Sequence, residues 1–373
     1  MQVAMDDDRA RAAGFEPGAL ARLAELFESQ LASGLHPGAQ LTIRRHGDIV
    51  FEAAGGTMRP GEAGPPVTSD TLFLIFSATK PLTAMAVHLL AERGSIDLDA
   101  PVARYWPEFG CGGKESATVL HVLSHQGGFP IGPKWLTWDR WCDRDAVARA
   151  MVERQTRWAP GTDVGYHPLN YGWVLGEVVR RVDGRSLGRF LAEEVFAPIG
   201  MRQTWLGLPP EHDERVAHHV DLSGEFEFVA DFNRPEVHGT EAGAATGITT
   251  TRDLTRFYTC LLRGGEIDGV RVFRPETIAR ATTAVVDGVR DRTLQVPVRW
   301  ALGFHLGGPV SAFGRRSSTR TFGHSGHGST TAWADPELDL AVAYFTNGVR
   351  ASIDNFLRMT RLNDAILAAC GRR

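Results

Sequence analysis

Long apolar runs are missing from this chain. Nowhere in its 373 residues does a stretch approach the roughly 20 apolar residues that span a bilayer, so no transmembrane helix is expected. The opening Met1-Gln2-Val3-Ala4-Met5-Asp6-Asp7-Asp8 is acidic and has no apolar centre, so it does not read as a signal peptide. Cysteine is sparse. Cys111, Cys142, Cys260 and Cys370 lie far apart with no Cys-x-x-Cys pair, which argues against a disulfide framework and for reduced, mostly buried thiols. Basic residues are not in excess, and a net charge of -4 argues against a nucleic-acid binder working through a basic face. Internal repeats and low-complexity segments are absent. With ordinary apolar and charged content, the expectation is a globular enzyme of the cytoplasm, long enough for two domains or one composite unit.

What the chain does have is an apolar run that delivers a serine, with a lysine three residues later: Leu72-Phe73-Leu74-Ile75-Phe76-Ser77-Ala78-Thr79-Lys80. Leu82, Met85, Ala86, Leu89 and Leu90 then recur at helical spacing until Gly94. Pro81 is tolerated in a first turn, so the helix opens near Ser77. Ser77 and Lys80 then share a face, and backbone N–H groups at the helix start favour negative charge beside the serine.

Upstream, residues 18–33 carry Leu20, Leu23, Phe27 and Leu31 on one stripe of a helix. Gln40–Arg44 and Ile49–Phe51, joined at His46-Gly47-Asp48, read as a hairpin, and Gly55 to Ser69 as loop. Residues 95 to 295 read mostly as helices and irregular connections, with helices over Gly172–Val182, Leu187–Phe196 and Asp253–Leu262. Strand patterning returns at Trp300–Leu306 and in a hairpin of Thr330–Ala334 with Leu340–Phe345, before a closing helix over Ile353–Cys370. Strands at both ends and helices between predict an α/β (α+β) fold. Its antiparallel sheet is built from the N- and C-terminal segments (1–80 with 296–373), and a mainly helical lobe (81–295) is inserted.

These segments together resemble the serine β-lactamase and penicillin-binding-protein superfamily over residues 36–350, most closely the branch of class C β-lactamases, DD-peptidases and β-lactamase-like (family VIII) carboxylesterases. Asp70–Lys80 resembles the first motif, and His121-Val122-Leu123-Ser124-His125-Gln126-Gly127-Gly128-Phe129 resembles a His-Leu-Leu-x-His-x-Ser-Gly-Leu stretch. Pro160-Gly161 before Tyr166-His167-Pro168 is similar to the second motif, and Phe322-Gly323-His324-Ser325-Gly326 to the third. The resemblance implies a β-lactamase/transpeptidase-like fold, an acyl-enzyme on Ser77, a proton shuttle of Lys80 and Tyr166, and an oxyanion hole from the backbone of Ser77 and His327. It also implies substrate contacts from His324, Ser325, Gly326, His167, Gln126 and Trp135.

The chemistry asks for these residue types. A serine is a weak nucleophile until a neighbour takes its proton. A lysine neutral near pH 7 needs its pKa of about 10.4 lowered by about 3, on the order of 4 kcal/mol. Either Lys80 or Tyr166 is left open as the resting base. Two departures matter. Pro168 stands where β-lactamases carry asparagine, and His324 where they carry lysine. The first removes an amide that holds a lactam or peptide, the second a cation that holds a carboxylate. Both favour a neutral ester, expected to carry a short to medium acyl chain, with a β-lactam or amide hydrolase, an acyltransferase and a non-catalytic binder as rivals. Ser325 lacks the Gly-x-Ser-x-Gly frame because His327 fills its last position. His121 and His125 lack the glutamate of His-Glu-x-x-His, so no metal or other cofactor is expected. Trp135, Trp138 and Trp141 read chiefly as packing residues, with Trp135 the candidate to face substrate.

Overall fold

Alternation along Leu340–Thr346 splits its side chains between two layers. Leu340, Val342 and Tyr344 pack with Leu20, Leu23 and Phe27 on one face. Ala341, Ala343 and Phe345 pack with Leu254, Phe257 and Tyr258 on the other. A sheet covered on both faces follows, and the chain builds it from both of its ends. In the computed structural model, which describes residues 1–61, 64–309 and 311–372, nine antiparallel strands stand in one sheet. Their order is Gln2–Met5, Asp48–Gly56, Gly38–Arg45, Leu340–Thr346, Thr330–Asp335, Phe322–Gly326, His305–Leu306, Pro297–Trp300, Val286–Arg290. The two ends of the chain meet where Leu340–Thr346 pairs with Gly38–Arg45, from Leu340 opposite Arg45 to Thr346 opposite Ala39.

The Ala19–Ala32 and Ser352–Ala369 helices cover the first face. Thr251–Leu262 and Lys80–Glu92 belong to the core on the second. Among the described residues no helix is long and apolar enough to cross a membrane.

Three features differ from the sequence reading. The acidic start is an edge strand, Gln2–Met5, followed by a short helix capped by Asp6, which accepts from the Arg9 amide at 2.8 Å. Its residues are mostly exposed, so no apolar periodicity marked it. Trp300–Leu306 is two strands rather than one, with Trp300 opposite His305 across a tight turn. Gly303 makes that turn at φ +103°, where a Cβ would lie 2.1 Å from the Ala84 side chain. The last strand, Val286–Arg290, comes from the stretch expected to be helical and irregular. Within the loop expected over 55–69, residues 62 and 63 lie outside the described residues.

Candidate active site

Ser77 sits on a turn clamped from two sides. The short strand Phe73–Leu74 pairs with Gly247–Thr249, and the Ile75 amide continues that pairing onto the Gly247 carbonyl at 2.9 Å. Thr79 Oγ1 donates to the Phe76 carbonyl (2.6 Å) and accepts from the Gly247 amide (2.9 Å). A 3₁₀ turn over Phe76–Thr79 then runs into the Lys80–Glu92 helix, with Pro81 in its first turn. From the sheet side, Thr330 Oγ1 donates to the Ile75 carbonyl at 3.1 Å. Gly326 presses on the same carbonyl so closely that a Cβ would lie 2.3 Å from it. Between these clamps Phe76 adopts φ +46°. For a bulky residue this is a strained conformation that persists only when its surroundings impose it. Its ring is held by His219 and Phe232, with centroids 4.8 and 4.9 Å away.

Lys80 is fully buried. Its Nζ lies 3.1 Å from Ser77 Oγ, 2.8 Å from the Pro168 carbonyl oxygen and 3.1 Å from that of Ala244. Burial drives its pKa far below the ordinary lysine value. The Tyr166 phenol hydrogen-bonds to Ser77, and its ring centre is 4.7 Å from the Lys80 amine. Burial raises the tyrosine pKa above its ordinary value, and the Asp291 carboxylate adds to that rise against the bond to Ser77. Burial thus favours the uncharged form of both groups, the amine without its extra proton and the phenol with its own.

Tyr166 is positioned by its backbone and by its ring. Its amide donates to the buried Asp291 carboxylate at 2.8 Å, and its ring stacks on Trp300 at 5.7 Å and 12°. Behind it, the His125–Phe129 stretch is zipped to the 157–167 segment. Gly161 N donates to the Gln126 carbonyl (2.9 Å), Gly165 N to the His125 carbonyl (3.0 Å), and His167 N to His125 Nδ1 (3.2 Å). The Phe129 amide donates in turn to His167 Nε2 at 3.2 Å.

Ser77, Tyr166 and His327 line a cavity of about 500 Å³. His324, Ser325 and Gly326 form the strand that leads to His327 but are not among its lining residues. His324 Nδ1 donates to the Ser325 carbonyl at 2.7 Å, which leaves Nε2 an unpartnered acceptor, and burial lowers the ring's pKa well below the usual histidine value. It is no cation in the place of a lysine. His167 is buried against Phe129 and His125, its pKa pushed down to about 3, and it does not reach the cavity. Gln126 Nε2 donates to Ser124 Oγ at 3.0 Å, also away from the cavity. Trp135 stands outside beneath the Arg149 guanidinium, whereas Trp138 and Trp141 are in the wall. Their spacing of three could not tell which of the tryptophans turns inward. Among the described residues no group of three or more histidine, cysteine or acidic side chains is placed to hold a metal. His121 instead caps its own helix through Thr118.

Asp291 went unseen in the sequence, as did the carbonyls of Pro168 and Ala244. A lone aspartate in a polar loop carries no motif, and backbone acceptors leave no residue signature.

The comparisons with known proteins place the chain in a family. The Beta-lactamase family profile matches residues 23–363. The chain is 33% identical over 313 residues to the Esterase/beta-lactamase LipL of Mycobacterium tuberculosis, covering 76% of this chain and 70% of that protein. A penicillin-binding protein homologue from Caulobacter crescentus superposes with a TM-score of 0.85 at 31% identity, covering 99% of this chain and 100% of the other. A family VIII carboxylesterase structure superposes at 0.83 and 29% identity, covering 98% and 99%. The chain thus belongs to the Beta-lactamase family, in the esterase branch of the serine β-lactamase and penicillin-binding-protein superfamily.

Proposed function

We propose that this protein is a metal-free serine hydrolase that cleaves carboxylic esters through an acyl-enzyme on Ser77. The observation that carries the reading is the buried Lys80 amine 3.1 Å from Ser77 Oγ. A neutral amine has two N–H donors and one lone pair. The carbonyls of Pro168 and Ala244 take the two donors. The lone pair is left for the serine hydroxyl, which then donates to Nζ. In this reading Lys80 is the resting base and Tyr166 the resting acid.

The steps follow from that assignment. Ser77 Oγ attacks the ester carbonyl carbon while its proton passes to Lys80. The oxyanion is held by the backbone amides of Ser77 and His327, two residues of the cavity lining, as the family resemblance implies. The C–O bond to the alcohol breaks, and the departing alkoxide takes a proton from Tyr166, which recovers one from the Lys80 ammonium. Water then enters and attacks the acyl carbon as its proton passes through Tyr166 to Lys80, the bond from that carbon to Ser77 Oγ breaks, and Oγ takes the proton back from the Lys80 ammonium. Carboxylic acid and regenerated Ser77 leave the cycle balanced. The esterase named among the relatives and the carboxylesterase among the structural neighbours support this reading. So does the absence of a side-chain amide at Pro168 and of a cation at His324.

The test is hydrolysis of p-nitrophenyl butyrate by the wild type beside Ser77→Ala, with fluorophosphonate labelling read by intact mass. Loss of both turnover and label in the variant is expected. Equal rates, or label on another residue, would overturn the assignment. Nitrocefin turnover faster than ester turnover would favour the lactamase alternative.

A further inference from the structure

The cavity over Ser77 is larger and more aromatic than a short acyl chain requires. Its volume is about 500 Å³, and its walls include Phe76, Trp138, Trp141, Phe228 and Phe232. These rings meet edge to face: Trp141 with Phe232 at 5.5 Å, Phe228 with Phe232 at 6.1 Å. Phe228 is 43% exposed, an aromatic surface with no protein partner covering it. A flexible four-carbon chain would leave most of this wall wet. A rigid ring fills it while losing little rotational freedom, and its faces and edges match walls set at steep angles.

Charge narrows the choice further. Among the described residues no lysine or arginine is in the lining. His327 is the basic side chain among the described lining residues; its ring packs against Phe226 and Phe228, and burial lowers its pKa. The acidic side chain at the wall is Asp231, whose partner Arg234, 3.2 Å away, stacks on Trp138 without entering the lining. A substrate carboxylate placed here would lose its water and meet no donor of opposite charge.

We infer that the substrate is an uncharged ester carrying a bulky, ring-bearing group that seats among Trp138, Trp141, Phe228 and Phe232, and that an acid on that group is rejected. This rests on the hydrolase reading above and narrows it.

The experiment compares unactivated alkyl esters by a pH-indicator assay, so that no activated leaving group dominates the rates. Ethyl butyrate is set beside ethyl 3-(2-naphthyl)propanoate and 2-naphthylmethyl butyrate, which place the ring on the acyl or the alcohol side. Each naphthyl ester is paired with its ring-carboxylated counterpart. At least one naphthyl ester is expected to exceed ethyl butyrate in kcat/KM by about tenfold or more, the scale on which apolar pockets discriminate. Its carboxylated partner is expected to fall by at least about tenfold. Phe228→Ala, at a partly exposed position, is expected to shrink the ring preference. Turnover of ethyl butyrate equal to or faster than both naphthyl esters would overturn the inference and leave the hydrolase reading standing. Undiminished turnover of the carboxylated esters would do the same. No turnover of any ester, with no fluorophosphonate label on Ser77, would overturn both.

Discussion

The backbone amide of Tyr166 donates to both carboxylate oxygens of Asp291, at 2.8 and 3.1 Å. The same carboxylate accepts from the amides of Thr293 (2.7 Å) and Leu294 (2.8 Å), two residues of the cavity wall. One buried side chain therefore fixes the proposed acid and part of the substrate's surroundings together.

Asp291→Asn keeps the shape of this junction but removes its charge and replaces one acceptor with a donor. We expect kcat to fall by about 10- to 100-fold, in the range lost when a catalytic group is mispositioned. The carboxylate also helps hold the Tyr166 pKa up. Without it, the alkaline limb of the kcat/KM profile should move to lower pH. A profile displaced only in height would assign Asp291 a purely structural part.

Lys80 sets the acid side of the same profile. Burial lowers its pKa, so the amine takes up a proton only as pH falls through that lowered value. Activity should decline on the acid side and hold a plateau through neutral pH toward about 10, where an ordinary tyrosine would already be ionising. Lys80→Arg places a guanidinium that keeps its proton throughout, and should lose about 10²- to 10⁴-fold in rate.

The same depressed pKa has a consequence for stability. Between the folded-state value and the unfolded value of about 10.4, the unfolded chain carries a proton on Lys80 that the folded chain lacks. Stability linked to this residue therefore rises with pH across that window, by about 1.4 kcal/mol per pH unit, and levels off above it. Lys80→Met removes the linkage. Denaturant titrations of both proteins between pH 7 and pH 10 should show the wild type gaining on the variant as pH rises. A constant difference would mean that the lysine is charged inside the fold.

Gly326→Ala tests the clamp on the nucleophile turn. The added methyl would lie 2.0 Å from Thr330 Oγ1 and 2.3 Å from the Ile75 carbonyl oxygen, so that at least one of them must shift. Overpacking of this kind costs about 1–3 kcal/mol. A lowered Tm is expected together with slower labelling of Ser77, because the strand carrying His327 is pushed away from the serine. Unchanged labelling in a destabilised variant would separate the clamp from the chemistry.

The elements with strong periodicity were legible before any coordinates. The Ala19–Ala32 stripe, the Gly38–Arg45 and Asp48–Gly56 hairpin and the Leu340–Thr346 alternation each declare a buried face through residues three, four or two positions apart. The serine–lysine pair was legible for the same reason: a single helical turn brings the two together, so three positions of sequence suffice. What the chain order could not convey is everything made by residues far apart. The partners of the Lys80 amine are carbonyls 88 and 164 positions away, and every residue type carries a carbonyl. Asp291 reaches Tyr166 across 125 positions without a motif. His167, Gln126 and Trp135 sit in or beside the right motifs but are not in the cavity lining: His167 is held by Phe129, 38 positions away, Trp135 lies beneath Arg149, and Gln126 bonds to its near neighbour Ser124. Local pattern thus determined which groups can do chemistry, while tertiary packing decided which of them are dry, which are uncharged and which meet a substrate.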